Sequence, residues 1–253
     1  MAENTEIKVK SIKKTIDVLN CFIEKQPLGV TEISDKLGLY KSNVHGILST
    51  LTAMDYLSKD EATGKYYLGV GILRLSQALG DRYSFQKVAA AHMQALSNQV
   101  GEIVYLSVPF KDQVYYLDAA FPSDGAPYLI GSVRSTTDYM HCTSCGKAML
   151  AYMPKEYLEQ YLAKPLEAPT PNTITDPSAL LKELQRIRER GYATDNMEAM
   201  IGISCVAVPI RDGKGEALGA LSISGPSPRF TPERIQQLAS LLKEHVDAIH
   251  KAI

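Results

Sequence analysis

The residues of this chain best suited to chemistry are gathered in the run His141-Cys142-Thr143-Ser144-Cys145-Gly146-Lys147. His141, Cys142 and Cys145 form half of a zinc-ligand pattern, and Cys205 or Asp195 would complete four ligands if the fold brought them together. A second C-x-x-C or an H-x-x-x-H is absent. This leaves a metal- or redox-sensing site through Cys142, Cys145 and Cys205 as the alternative to inert buried thiols, the common state of cysteine. Ser144-x-x-Lys147 matches the nucleophile motif of penicillin-recognising enzymes, but that chemistry needs a facing K-T-G, which does not occur, and Thr194-Asp195-Asn196 only loosely echoes S-D-N. There is no G-x-S-x-G, no H-E-x-x-H and no P-loop, so no enzyme is expected.

A second group of polar residues points to DNA. Over Val30 to Leu68 the pattern predicts a short helix, a tight turn, an amphipathic helix and a β-hairpin, which is a winged helix-turn-helix. Thr31 is placed to cap the first of these helices, Ile33 and Leu37 are spaced i, i+4, and Gly38 ends it. In the next helix Val44, Ile47, Leu48, Leu51 and Met54 recur at helical period, leaving Ser42, His45, Gly46 and Ser49 on the opposite side. Lys41, Ser42, Asn43, His45 and Ser49 are then the major-groove residues, Thr31 is a further DNA-contact candidate, and the turn Asp60 to Gly64 would carry Lys65 to a phosphate. Upstream, Ile12, Ile16, Leu19 and Ile23, with Phe22 beside them, predict a first helix packed on the other two.

Composition sets the bounds. At 253 residues, 45% hydrophobic and 22% charged, the chain has room for two globular domains. No run of about 18 apolar residues and no secretory h-region occurs, which predicts a cytoplasmic protein without a membrane partner. Four cysteines do not make a disulfide framework. Over 1–68, nine lysines meet nine acidic residues, so any basic face is local: the N-terminal arm, the start of the second turn-motif helix and the wing.

The expected organisation is α+β: a DNA-binding domain over 1–68, a linker helix over 69–81 with Ile72, Leu73, Leu75 and Leu79 buried along one side, and a sensor-like domain over 82–253. Gly69 and Gly71 are no dinucleotide loop, because Arg74 takes the third glycine position. In the last region a helix from Phe85 to Val100 precedes a hairpin, Ile103 to Pro109 and Val114 to Ala120. A helix over Pro177 to Arg190 follows, then strands Cys205 to Ile210 and Ala217 to Ser224, and a final helix from Thr231. Antiparallel strands with helices on one face are expected. Phenols such as Tyr105, Tyr115, Tyr116, Tyr128 and Tyr139, if near a pocket, would suit an aromatic or acid ligand.

The order of L-x-x-L and G-K-Y-Y-L-G within Val30 to Gly69, H-C-T-S-C-G-K-A at 141 to 148, and G-I-S-C-V-A-V-P-I with G-A-L-S-I-S-G-P at 202 to 226 resembles the isocitrate lyase regulator (IclR) family of bacterial transcription factors. The resemblance implies a homodimer or homotetramer, a palindromic operator on double-stranded DNA, repression or activation of a catabolic or metabolic operon, and a GAF-like domain that binds a small organic or aromatic acid. It implies an effector pocket entered by Pro127, Ile130, Ser144, Cys145, Asp195, Cys205, Ser222 and Ser224. The residue chemistry agrees: Ser144 to Gly146 begin a helix whose free N–H groups suit a carboxylate, and Ser222 and Ser224, two apart on a strand, share a face. One position departs from the family pattern. Gly46 stands where arginine is common after the recognition-helix histidine, removing a phosphate contact.

Overall fold

The computed structural model describes residues 7–80, 85–125 and 137–252. The chain divides into two compact units, Met1–Tyr83 and Ser84–Ile253. None of the described helices is long and apolar enough to cross a membrane.

The first unit contains helices α1 (Lys10–Glu24), α2 (Val30–Leu37) and α3 (Lys41–Ala53), strands β1 (Leu57–Lys59) and β2 (Tyr66–Leu68), and helix α4 (Val70–Gly80). α2 begins two residues earlier than Thr31 would place it. Gly29 is the N-cap, and the Glu32 carboxylate reaches back to accept its N–H at 2.9 Å. A glutamate at this position replaces the missing capping side chain, which leaves Thr31 exposed inside the first turn. α2 stops at Gly38, whose φ of 63° is left-handed. Val44, Leu48 and Leu51 of α3 pack against Ile33, Val18 and Phe22, but Met54, at the helix end, is exposed rather than in the core. The β1–β2 hairpin is antiparallel with Ser58 opposite Tyr67, and the Asp60 carboxylate closes its turn by accepting from the Ala62 N–H and the Thr63 hydroxyl.

α1 corrects the sequence reading. Its core face is Val18, Cys21 and Phe22, with Leu19 half-buried, whereas Ile12, Ile16 and Ile23 are 60%, 47% and 63% exposed. The helix carries two apolar stripes, and α2 and α3 cover only one. α4 differs from expectation in the same way: Val70, Leu73, Leu75 and Leu79 are all exposed within the chain.

The second unit runs α5 (Phe85–Val100), β3 (Ile103–Phe110), β4 (Gln113–Ala120), β5 (Thr137–Tyr139), α6 (Ser144–Leu150), α7 (Lys155–Leu162), α8 (Pro177–Arg190), β6 (Ala193–Asn196), β7 (Ile203–Arg211), β8 (Ala217–Pro226) and α9 (Pro232–Ala252). The strands form one antiparallel sheet in the order β5-β4-β3-β8-β7-β6. Helices cover both faces, not one. α5 and α9 pair with each other against the sheet, and Gly219 faces Phe85 of α5. The next residue, Ala220, points the other way and shares a core with Cys145, Ala148 and Met149 of α6. Burial on both faces explains why β7 and β8 read as continuous apolar runs instead of alternating ones.

Candidate functional site

α3 presents Lys41, Ser42, Asn43, His45, Gly46 and Ser49 to solvent, because its buried stripe occupies the opposite side. Tyr40, the residue just before the helix, is 81% exposed and was not singled out by pattern, since a lone aromatic in a turn carries no periodic signal. A Cβ on Gly46 would meet nothing within 4 Å, so no packing among the described residues requires glycine there. Beside it runs an open groove with Ser11 and Lys14 of α1 on one wall and Ser42 and Asn43 on the other. The wing lysine does not point outward: Lys65 Nζ lies 3.0 Å from Glu32. Hydrogen bonds from Lys25, the Gly29 N–H and Lys65 hold the Glu32 carboxyl down at about 2.

The second unit holds a cavity of about 80 Å³ between the sheet and α6. Strand register builds it: Asp195 of β6 lies opposite Cys205 of β7, and Cys205 opposite Ser224 of β8. Two residues along, Ser222 pairs with Tyr105 of β3. Ser144 and Cys145 enter from the start of α6. Six of the eight residues expected to form an effector pocket therefore line one space; Pro127 and Ile130 lie outside the described residues. Tyr105, Tyr116, Asp138 and Thr143 also line it. Tyr105 and Tyr116 are two of the phenols noted in the sequence, and it is the β3–β8 pairing, between strands more than a hundred residues apart, that brings Tyr105 to the pocket.

Burial works against charge on the acidic groups of this cavity. Burial raises the Asp195 carboxyl to about 7, although it accepts the Glu198 N–H at 2.6 Å. Burial likewise raises Asp138. No lysine or arginine is among the described lining residues; the nearby Lys147 is turned away, 2.5 Å from Glu198 in a buried ion pair. The α6 N-terminus offers less than its sequence promised. The Thr143 hydroxyl caps the helix by accepting the Gly146 N–H at 3.1 Å, which leaves the N–H groups of Ser144 and Cys145 as those without an intrahelical acceptor. The Tyr105 hydroxyl is fully enclosed and has no partner among the described residues.

The thiols are held as thiols. Burial pushes the Cys142, Cys145 and Cys205 groups up from their ordinary range, and Cys205 donates to the Ser224 hydroxyl at 3.1 Å. Both ring nitrogens of His141 are engaged, with the Tyr161 hydroxyl and the Glu167 carbonyl. Among the described residues no three His, Cys, Asp or Glu groups are arranged to hold a metal ion. Protonated thiols are slow nucleophiles, which makes these cysteines poorly suited to redox exchange.

Comparison with known proteins supplies the family. Residues 11–61 match the IclR helix-turn-helix domain and residues 77–251 match the domain described as bacterial transcriptional regulator IclR C-terminal. The chain is 31% identical over 242 residues to the HTH-type transcriptional regulator BhcR of Paracoccus denitrificans, covering 93% of this chain and 84% of that protein. It is similar to the crystal structure of the Thermotoga maritima IclR at 30% identity and a TM-score of 0.78, over 96% and 98% of the two chains. The fold is shared with an IclR homolog from Microbacterium hydrocarbonoxydans complexed with 4-hydroxybenzoate, at 24% identity and a TM-score of 0.83, over 94% and 97%. A helix-turn-helix unit with an exposed polar helix, followed by an α+β unit with a curled antiparallel sheet, is thus accounted for: the chain belongs to the IclR family of bacterial transcriptional regulators and is a DNA-binding regulator rather than an enzyme.

Proposed function

We propose that this regulator binds a palindromic operator as a homodimer or homotetramer, acts in the cytoplasm as the repressor of a catabolic or metabolic operon, and changes its operator affinity when a small organic acid enters the cavity beneath α6. The observation that carries the effector reading is the convergence of Ser144, Cys145, Asp195, Cys205, Ser222 and Ser224, drawn from four separate elements, on one pocket. At roughly 10–15 Å³ per water-sized site, 80 Å³ suits a ligand of a handful of heavy atoms. The dimer reading is supported by Ile12, Ile16 and Ile23 on α1 and the exposed leucines of α4, apolar surface that a second copy would bury.

On the DNA side, Tyr40, Lys41, Ser42, Asn43, His45 and Ser49 form the reading face, with Lys14 beside it as a phosphate contact. Lys65 would reach a phosphate only by leaving Glu32. Selection from a random double-stranded DNA pool at fixed salt, followed by light scattering of the complex, tests the reading. Enrichment of a two-fold symmetric site with half-sites about one helical turn apart is expected. Enrichment of an asymmetric site, or a monomeric complex, would refute it. For the effector, operator affinity measured across a panel of small organic acids should change with at least one of them.

A further inference from the structure

The cavity contains a polar group that the folded chain leaves unsatisfied. Tyr105 is 4% exposed, its hydroxyl has no hydrogen-bond partner among the described residues, and its side chain lines the cavity. The position is fixed by register: Tyr105 sits directly opposite Ser222 on the neighbouring strand, and both share a sheet face with Ser224 and Cys205. The ring is braced edge-on by Tyr116, with centroids 5.4 Å apart. A buried hydroxyl without a partner destabilises the empty protein. Such groups persist where something outside the chain supplies the partner.

Charge then limits what that partner is. Asp195 lies at the β6 end of the face and Asp138 on β5, and no described cationic side chain lines the space. An anionic group would have to be held by neutral donors alone. Along the β8–β3 seam between the two acids these are the hydroxyls of Tyr105, Ser222 and Ser224. Asp195, at the other end, is an acceptor that would take a hydrogen bond from a hydroxyl.

We propose that Tyr105 sets the chemistry of the effector: its hydroxyl donates to a carboxylate oxygen of a small hydroxy acid, whose own hydroxyl group is directed to Asp195. This rests on the effector reading above and specifies its ligand class. Tyrosine is the suitable residue because it brings a donor into a buried site without adding a charge to it.

The test is Tyr105→Phe in the full-length protein, which removes one oxygen and keeps the ring. Without ligand, the variant should melt at a higher temperature than wild type, because the unpartnered hydroxyl is gone. A lower melting temperature would show that the hydroxyl has a structural partner and would overturn the proposal. Calorimetric titration with glycolate, acetate and glycerol supplies the second readout. Wild type should bind glycolate more tightly than acetate or glycerol, and Tyr105→Phe should weaken glycolate binding by about tenfold or more. Equal glycolate affinities in the two proteins would remove Tyr105 from the site while leaving the effector reading intact. Binding of glycerol alone, or of none of the three to wild type, would refute the hydroxy-acid class itself.

Discussion

Replacing Lys147 by methionine tests the network that supports the cavity from behind. The Lys147 and Glu198 side chains are 2% and 10% exposed and meet at 2.5 Å. At an effective dielectric constant of about 20, their gross attraction is roughly 7 kcal/mol, but each ion lost several kcal/mol of hydration on burial. One Glu198 oxygen, Oε2, also has no partner among the described residues. The pair therefore contributes little net stability, yet removing one member strands the other, at a cost of about 3–5 kcal/mol. Lys147→Met should show this loss in urea denaturation. Hydrogen exchange should assign the opening to 193–211, because Glu198 anchors that region: its N–H is held by Asp195, and its carbonyl accepts from the Thr170 and Thr173 hydroxyls. The double variant Lys147→Met/Glu198→Leu should recover most of the loss, since both charges are then gone. A single variant as stable as wild type, or a double variant no better than the single, would refute the reasoning.

Gly46→Ala should stabilise α3 by about 1 kcal/mol, because the added Cβ meets open space and alanine is the better helix former; unchanged or faster exchange of the α3 amides would contradict this. Asp195 titrates near 7 in the folded chain against an ordinary value of 3.8, so the folded state holds more protons and loses stability as pH rises from about 4 to 7, by up to about 4 kcal/mol. Asp195→Asn should flatten the denaturation midpoint over that window, and a profile that keeps the wild-type slope would show that another group carries it. Ile16→Glu, placed on the uncovered stripe of α1, should shift the light-scattering mass towards monomer at micromolar concentration and weaken operator binding, without lowering the α1–α3 core stability; an unchanged mass would remove that stripe from the oligomer contact.

Local order was legible where a few neighbouring residues decide it. Gly38 and Gly191 terminate helices in the left-handed conformation that only glycine adopts freely. The turn motif, the Ile103–Ala120 hairpin and the final helix are likewise written in short-range spacing. What spacing could not decide was which of two equally periodic stripes on α1 meets the core, because Ile12-Ile16-Ile23 and Val18-Cys21-Phe22 both satisfy a helical repeat. The choice belongs to α2 and α3. The Glu32–Lys65 pair is also tertiary, since it depends on the hairpin folding back beside α2. The cavity divides in the same way. Its serines and cysteines stand in recognisable motifs, but Tyr105 enters only through the antiparallel pairing of β3 with β8, and Asp195 acquires its raised proton affinity only when the sheet and α6 exclude water around it. Short-range spacing specifies the two kinds of unit and most of their helices and strands. The tertiary structure decided which faces are buried, which polar groups converge and which of them remain unsatisfied, because desolvation and long-range strand register are properties of the assembled chain and have no local period to read.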